Sequence, residues 1–202
     1  EDALIDPLTD LGNRRFAHAQ IPSLIAAAQA GGSSLGVVFL DIDEFKTVND
    51  TQGHSIGDSV LRMVGQSLAN GLRAADMPVR WGGEEFLVLL PGVSSEILAT
   101  LAERLRMLVE HSWIQVGDTQ VRVTVSVGAV MVRPGETFDE ALDRADRLMY
   151  QSKAAGRNVV TTESGRMKRR GQVPLFQISR PWDMDPIADD ETADDVADSD
   201  SA

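Results

Sequence analysis

The 202-residue chain contains no cysteine, which excludes disulfides and thiolate metal sites and fits a cytoplasmic setting. Any metal must then sit on oxygen ligands or on the three histidines, a donor set that favours magnesium or manganese over zinc. No apolar run approaches the ~20 residues of a membrane span, and no secretory h-region opens the chain. The pattern G-x-x-x-x-G-K-[ST] occurs nowhere, so a P-loop nucleotide site is excluded at the motif level. There are no internal repeats.

Positive charge is also missing from one end. Residues 181–202 carry nine acids and no Lys or Arg. Setting those nine aside from the net charge of −12 leaves −3 for the remainder. A nearly neutral body has no basic face for a duplex, so no nucleic-acid partner is expected. With 43% hydrophobic and 25% charged residues, the chain is long enough for one sizeable core. The composition divides it into a domain over 1–162 and a tail over 163–202. The tail runs from a basic patch, Met167-Lys168-Arg169-Arg170, to the acidic end, and is expected to be disordered.

Asp6-Pro7-Leu8-Thr9-Asp10 is rich in turn residues, and Arg14 to Ala30 then reads as a helix stopped by Gly31-Gly32. Leu35 to Leu40 is a continuous apolar run suited to a central strand buried on both faces. Phe45 to Asn49 reads as a short helical turn. Gly53 to Asp58 reads as a loop leading into a helix from Ser59 to Leu72. Two short apolar runs, Met77 to Trp81 and Phe86 to Leu90, flank Gly82-Gly83 and predict a hairpin whose glycines take positive φ. A helix is expected over Ser94 to His111, with Leu98, Leu101, Leu105, Leu108 and Val109 inward. One strand is expected over Gln120 to Val132, with Val121, Val123, Val125 and Val127 on one face. A last long helix covers Phe138 to Ala155, and Val159-Val160 forms an edge strand. This order predicts an α+β fold (an α/β sandwich) with a mostly antiparallel sheet flanked by helices.

Charge placed where a core strand ends is the first sign of a site. Asp41-Ile42-Asp43 closes the buried run, and acids there commonly mark function because a core strand does not otherwise carry them. They also suit the plain role of capping the next segment. Glu84 and Glu85 follow the hairpin turn at once, where bare glycine backbone lets a phosphate or sugar approach.

Five ordered blocks of this sequence resemble the GGDEF domains, the diguanylate cyclases. They are Asp6-Pro7-Leu8-Thr9-Asp10-Leu11-Gly12-Asn13-Arg14-Arg15-Phe16; Asp41-Ile42-Asp43-Glu44-Phe45-Lys46 with Asn49-Asp50; Gly53-His54-Ser55-Ile56-Gly57-Asp58; Gly82-Gly83-Glu84-Glu85-Phe86; and Ala145-Asp146 through Met149-Tyr150 and Lys153 to Gly156-Arg157-Asn158. The resemblance covers roughly residues 3–160. The motif has Glu84 where the family name has Asp, a substitution common among active members.

The resemblance implies a ferredoxin-like palm of the nucleotidyl cyclase type. It implies condensation of two GTP into cyclic di-GMP with release of pyrophosphate, across a homodimer in which each protomer presents one GTP. By residue, it implies Mg²⁺ (or Mn²⁺) on Asp41, Glu84 and the carbonyl of Ile42, with Glu84, Glu85 and Lys46 in catalysis. It places substrate against Asn49, Asp58, His54, Leu8, Leu61, Phe45, Gly82, Gly83, Lys153 and Arg157. Asn49 and Asp58 match the residues that hydrogen-bond guanine; Lys46, Lys153 and Arg157 supply charge for phosphates. Arg73 and Asp76, five residues before Gly82, match an RxxD site where cyclic di-GMP inhibits, with Arg104 as a second arginine.

Plainer roles compete at several positions. Lys153 and Arg157, i and i+4, suit a solvated helix end, and Arg73 with Asp76 suits a weak surface ion pair. Asp43 is read as structural. Two rival functions are a non-catalytic module that only binds GTP or cyclic di-GMP, and a cyclase making a mononucleotide. Since the resemblance starts almost at residue 1, no complete sensory domain is expected before it, and the chain reads as a fragment of a longer regulator or a stand-alone cyclase.

Overall fold

The run Leu35–Ile42 has no solvent-facing side, and all eight of its residues are buried at the centre of the sheet. The computed structural model describes residues 3–166 and 176–179. In chain order the elements are β1 (Gly12–Asn13), α1 (Arg14–Gln29), β2 (Leu35–Ile42), α2 (Phe45–Gln52), α3 (His54–Asn70), β3 (Met77–Arg80), β4 (Glu85–Pro91), α4 (Ser95–Glu110), β5 (Ile114–Val116), β6 (Thr119–Val123), β7 (Val125–Met131), α5 (Phe138–Ala154), β8 (Val160–Thr162), β9 (Gly165–Arg166) and β10 (Phe176–Ser179).

The main sheet has the order β1-β3-β4-β2-β7-β8-β9. Its four central neighbours, β3, β4, β2 and β7, pair antiparallel. Only the β1–β3 and β7–β8 pairs are parallel. A three-stranded sheet, β10-β6-β5, lies beside it. The α+β class and the mostly antiparallel sheet agree with the sequence reading.

Strand alternation divides the core into two layers. Val38, Leu40, Phe86, Val88 and Leu90 meet Val60, Val64 and Leu68 of α3 and Leu98 and Leu105 of α4. Val37, Phe39, Leu87 and Leu89 meet Ala17 and Ile21 of α1 and Ala141, Ala145 and Met149 of α5. Burying each of these Leu, Val and Phe side chains contributes about 1.5–3 kcal/mol before chain entropy is counted. The helix ends follow side-chain chemistry. Asn13 accepts the Phe16 N–H at 3.0 Å, and Thr137 and Glu140 form a reciprocal capping box at the start of α5.

Several expectations need correction. The run over 120–132 is two strands: β6 joins the small sheet and β7 the main one, with the break at Thr124, whose carbonyl accepts the Asp43 N–H at 2.9 Å. The four valines still share one core layer. The expected loop 53–58 is mostly helical; only Gly53, at φ +85°, separates α2 from α3, because that φ stops one helix and the chain resumes helical geometry at His54. On α4 the inward face carries Arg106 and Glu110 as well as Leu98, Ala102, Leu105 and Val109. Val160 belongs to β8, which is paired on both sides, so β9 is the edge. Beyond residue 162, β9 and β10 are strands, and β10 pairs with β6. The remainder of the expected disordered tail, including the basic patch and the acidic end, lies outside the described residues.

Candidate active site

Asp41 and Asp43 lie on the α5 side of the sheet, the face that Phe39 also shares, because side chains alternate along β2. Their surroundings differ. Asp43 is 1% exposed and saturated: it accepts from Thr124 Oγ1 at 2.7 Å, Ser126 Oγ at 2.6 Å and the Asn158 N–H at 3.0 Å. That supports the structural reading of Asp43. Asp41 is 5% exposed, and its Oδ1 lies 2.8 Å from Lys153 Nζ on α5. Although the separation makes an ion pair, no donor is aligned on that oxygen as a hydrogen bond. Burial pushes the Asp41 carboxyl above its ordinary pKa; Lys153 opposes the shift, while Asp43 and Asp146 add to it.

The β2–β4 register brings the hairpin acids to the same place. Asp41 pairs with Glu85 across the strands, and the Ile42 N–H donates to the Glu84 carbonyl at 3.2 Å. Burial first, then the charge of Asp41, raises the carboxyl pKa of both Glu84 and Glu85. Asp41, Glu84 and Glu85 thus share one electrostatic neighbourhood with Lys153.

The hairpin glycines differ from expectation. Neither Gly82 nor Gly83 is among the positive-φ residues. The Trp81 and Gly82 N–H groups close the turn on the Glu85 carbonyl at 2.9 and 3.2 Å. What Gly82 provides is room, since a Cβ there would lie 2.5 Å from Glu85 Oε2. A Cβ at Gly83 would meet nothing within 4 Å, so that backbone is open to a ligand. Arg80 braces the turn by donating to the Gly83 carbonyl at 2.9 Å and to both Asp6 oxygens at 3.2 Å. Burial alone would raise the Asp6 pKa, but hydrogen bonds from Thr9 and Arg80 lower it overall.

On α2 and α3, Asn49 packs tightly against Gly57, the neighbour of Asp58. Gly57 lets the two helices approach so closely that a Cβ on it would fall 1.9 Å from Asn49 Oδ1. Asn49 is half-buried, Phe45 and Leu61 are buried, and Leu8 packs partly against the same core layer. His54 and Asp58 are exposed. Lys46 is exposed too, and its Nζ pairs with Asp50 at 2.6 Å rather than with a strand-end carboxylate.

After α5 the chain makes two consecutive left-handed residues, Arg157 at φ +61° and Asn158 at φ +47°. Asn158 is fully buried. Its side chain accepts from Arg106 Nη1 at 2.5 Å and donates to Glu110 Oε1 at 2.8 Å. Sequence reasoning missed Arg106 and Glu110. The signal was their i,i+4 spacing beside Ala102, Leu105 and Val109, which puts both charges on the inward stripe.

Arg73 pairs with Asp76, and its Nη2 also donates to the Pro91 carbonyl at 3.4 Å. The Asp76 side chain is fully buried while that of Arg73 is 56% exposed. Asp76 accepts the Arg73 N–H at 2.9 Å, its Nε at 3.3 Å and its Nη2 at 3.0 Å. The guanidinium face is thereby held toward solvent. Arg104 is exposed on α4.

Among the described residues, no three His, Asp or Glu side chains stand where they could hold a metal ion alone. The donors present are hard oxygens, with a buried Asp41 oxygen lacking an aligned donor. That set fits Mg²⁺ or Mn²⁺, ions which keep part of their shell for water and substrate phosphates. Three concavities of about 480, 510 and 300 Å³ lie elsewhere and contain none of the expected site residues. Among the described residues, no helix is long and apolar enough to cross a membrane.

Residues 3–159 match the family model "Diguanylate cyclase, GGDEF domain". The response regulator PleD of Caulobacter vibrioides is 44% identical over 163 residues, 79% of this chain and 36% of that protein. The diguanylate cyclase DosC of Escherichia coli is 36% identical over 157 residues, 77% of this chain and 34% of that protein. The chain thus spans about a third of these curated relatives. The GGDEF domain of DgcB from Caulobacter crescentus, solved in complex with c-di-GMP, superposes with a TM-score of 0.77 at 35% identity, covering 82% of this chain and 98% of that one. Diguanylate cyclase SiaD of Pseudomonas aeruginosa, solved with its activator SiaC, gives 0.77 at 38% identity, with 79% and 62% covered.

Proposed function

Because this chain belongs to the family of GGDEF diguanylate cyclase domains, we propose that it condenses two GTP into cyclic di-GMP, releasing two pyrophosphates, across a homodimer. One observation carries the reading. The β2–β4 register places Asp41 opposite Glu85 and ties Ile42 to Glu84, with Lys153 Nζ 2.8 Å from Asp41.

The reaction joins each 3′-oxygen to the α-phosphorus of the other GTP. The α-phosphorus bond to its bridging oxygen breaks, the pyrophosphate departs with the electron pair, and the 3′-hydroxyl proton must leave. Glu84 is the group to receive that proton, with Glu85 beside it. Their raised pKa values make them better bases than ordinary carboxylates, at the expense of being less fully ionised. Mg²⁺, when bound on Asp41, Glu84 and the Ile42 carbonyl, supplies charge that stabilises the polyanion. Lys153 is already positioned beside Asp41, and Arg157 follows four residues later, in the left-handed turn after the helix. Lys46, now paired with Asp50, is free to swing onto a phosphate because both side chains are exposed.

Asn49 with Asp58 reads the guanine edge; a site built on such hydrogen bonds rejects adenine, which leaves them unmade. Gly82 and Gly83 admit the nucleotide, and Leu8, Leu61, His54 and Phe45 line the base side. Arg73, held by Asp76, offers a planar fork for a guanine of the product, and Arg104 joins it when product is bound. One protomer holds half of the reacting groups, so catalysis requires a second copy.

Incubating the purified protein at high concentration with GTP and Mg²⁺, and identifying the product by mass spectrometry, tests the proposal. Cyclic di-GMP is expected. GTP binding in calorimetry without any such product would leave only a binding module, and a mononucleotide product would replace the proposal with a different cyclase.

A further inference from the structure

The polar cluster under α4 is buried and charged, and none of its residues is among those proposed to react. Arg106 is 2% exposed, Glu110 4% and Asn158 0%. Arg106 holds Glu103 through two bonds, at 3.0 and 2.7 Å, and reaches Glu110 Oε2 and Asn158 Oδ1, both at 2.5 Å. Glu110 Oε1 accepts from Asn158 Nδ2 at 2.8 Å, which closes a ring of three residues. The Asn158 N–H continues the chain to Asp43 Oδ2 at 3.0 Å, two residues from Asp41. Stability is a poor reason to keep such a cluster, since buried ion pairs are often replaceable by apolar groups without loss.

Backbone conformation supplies a better reason. Arg157 and Asn158 are both left-handed, a state that costs a side-chain-bearing residue energy and persists only where the surroundings over-determine it. Asn158 is held by its backbone N–H, its Oδ1 and its Nδ2. The Arg157 N–H donates to the Ser152 carbonyl at 3.0 Å. The strained pair immediately follows the helix that carries Lys153.

We propose that Arg106 and Glu110 are positioning residues which, through Asn158, lock the left-handed turn and so set Arg157 and the end of α5 to receive the GTP phosphates. This rests on the reading of Lys153 and Arg157 as phosphate contacts. Neither Arg106 nor Glu110 touches substrate; both act at one remove, from a helix whose opposite face carries Arg104.

The test compares Asn158→Ala, Asn158→Gly and Arg106→Gln, each singly and combined with Arg157→Ala, with Arg157→Ala alone. GTP affinity is read by calorimetry, KM and kcat by cyclic di-GMP formation, and folding by thermal melting. Asn158→Ala is expected to weaken GTP by ~10–100-fold, the usual loss when a supporting group is removed, and to act on KM more than on kcat. Asn158→Gly tolerates positive φ but leaves Arg106 and Glu110 without their partner, so it should recover only part of the affinity that Asn158→Ala loses. On the Arg157→Ala background, neither Asn158→Ala nor Arg106→Gln should weaken GTP further.

Wild-type affinity in Asn158→Gly or in Arg106→Gln, or losses that multiply with Arg157→Ala, would overturn the inference. If Asn158→Ala does not fold, Asn158→Gly and Arg106→Gln complete the same cycle. A wild-type protein that binds GTP without turnover removes the catalytic reading but leaves the affinity comparison in force. Normal turnover with unchanged affinity in every variant removes this inference alone.

Discussion

Gly57→Ala separates two physical effects that point in opposite directions. The residue sits inside α3, where helix propensity alone favours alanine by about 1 kcal/mol. The new Cβ, however, would stand 1.9 Å from Asn49 Oδ1, 3.0 Å from its Cγ and 3.3 Å from Phe45 Cζ. Ordinary contact begins near 3.4 Å, so the Asn49 oxygen must retreat by about 1.5 Å. Overpacking of this kind costs about 1–3 kcal/mol, leaving a net loss of about 0–2 kcal/mol. For a domain of this size that lowers Tm by at most about 8 °C. The effect on function should be far larger. A 1 Å displacement of a positioning group can reduce rate ~100-fold, and Asn49 is proposed to bond guanine. The variant should therefore melt close to wild type while kcat/KM for GTP falls ~100-fold, mainly through KM. Steady-state cyclic di-GMP formation, calorimetric GTP binding and thermal melting measure the three quantities. A Gly57→Ala protein with raised Tm and unchanged GTP affinity would refute the placement of Asn49 in the guanine site.

Glu84→Gln should reduce turnover by at least ~100-fold, the usual worth of a positioned base. Its stability should move the other way. Because Asp41, Glu84 and Glu85 have folded pKa values above their ordinary ones, the site loses stability as pH rises from the ordinary carboxylate range through those raised values. Without metal, Glu84→Gln should melt at or above wild type at pH 7, with the difference gone below about pH 4; melting curves across pH decide this, and a lower Tm at pH 7 would contradict the electrostatic account. Arg73→Ala removes the fork held by Asp76, and hydrogen bonds to charged groups of ~1.5–3 kcal/mol predict ~10–100-fold weaker inhibition by cyclic di-GMP; unchanged inhibition would exclude that site. Gly128→Ala would put a Cβ 2.0 Å from the Ala145 carbonyl oxygen and 2.4 Å from the Met149 nitrogen. Since backbone cannot rotate away, a loss of at least ~3 kcal/mol is expected, a fall of about 6–12 °C in Tm that calorimetry would detect.

The long periodic elements were legible because their signal is local. Helix α4 was expected over 94–111 and runs Ser95–Glu110; α5 was expected over 138–155 and runs Phe138–Ala154. Each is set by an apolar stripe and a capping hydroxyl, Ser94 or Thr137. The start of α3 was misread because Gly, His and Ser at 53–55 signal a loop, yet one positive φ at Gly53 is enough to separate two helices. Thr124 was misread for a different reason. The valines alternate without interruption across it, and only pairing with Asp43 and with two different sheets reveals the break.

Sequence by itself determined the family and the α+β class, because ordered motif blocks and side-chain periodicity are written along one dimension; it also named the residues proposed to carry the chemistry. Tertiary structure alone decided which carboxylates meet. Asp41 and Glu85 are 44 positions apart in the chain, and antiparallel register makes them neighbours. It also distinguished Asp41, with an oxygen lacking an aligned donor, from Asp43, saturated by Thr124, Ser126 and Asn158. Apart from the family resemblance, the sequence does not separate the two acids; desolvation and hydrogen bonding depend on what packs around each, and those surroundings come from β7, α5 and the turn after it.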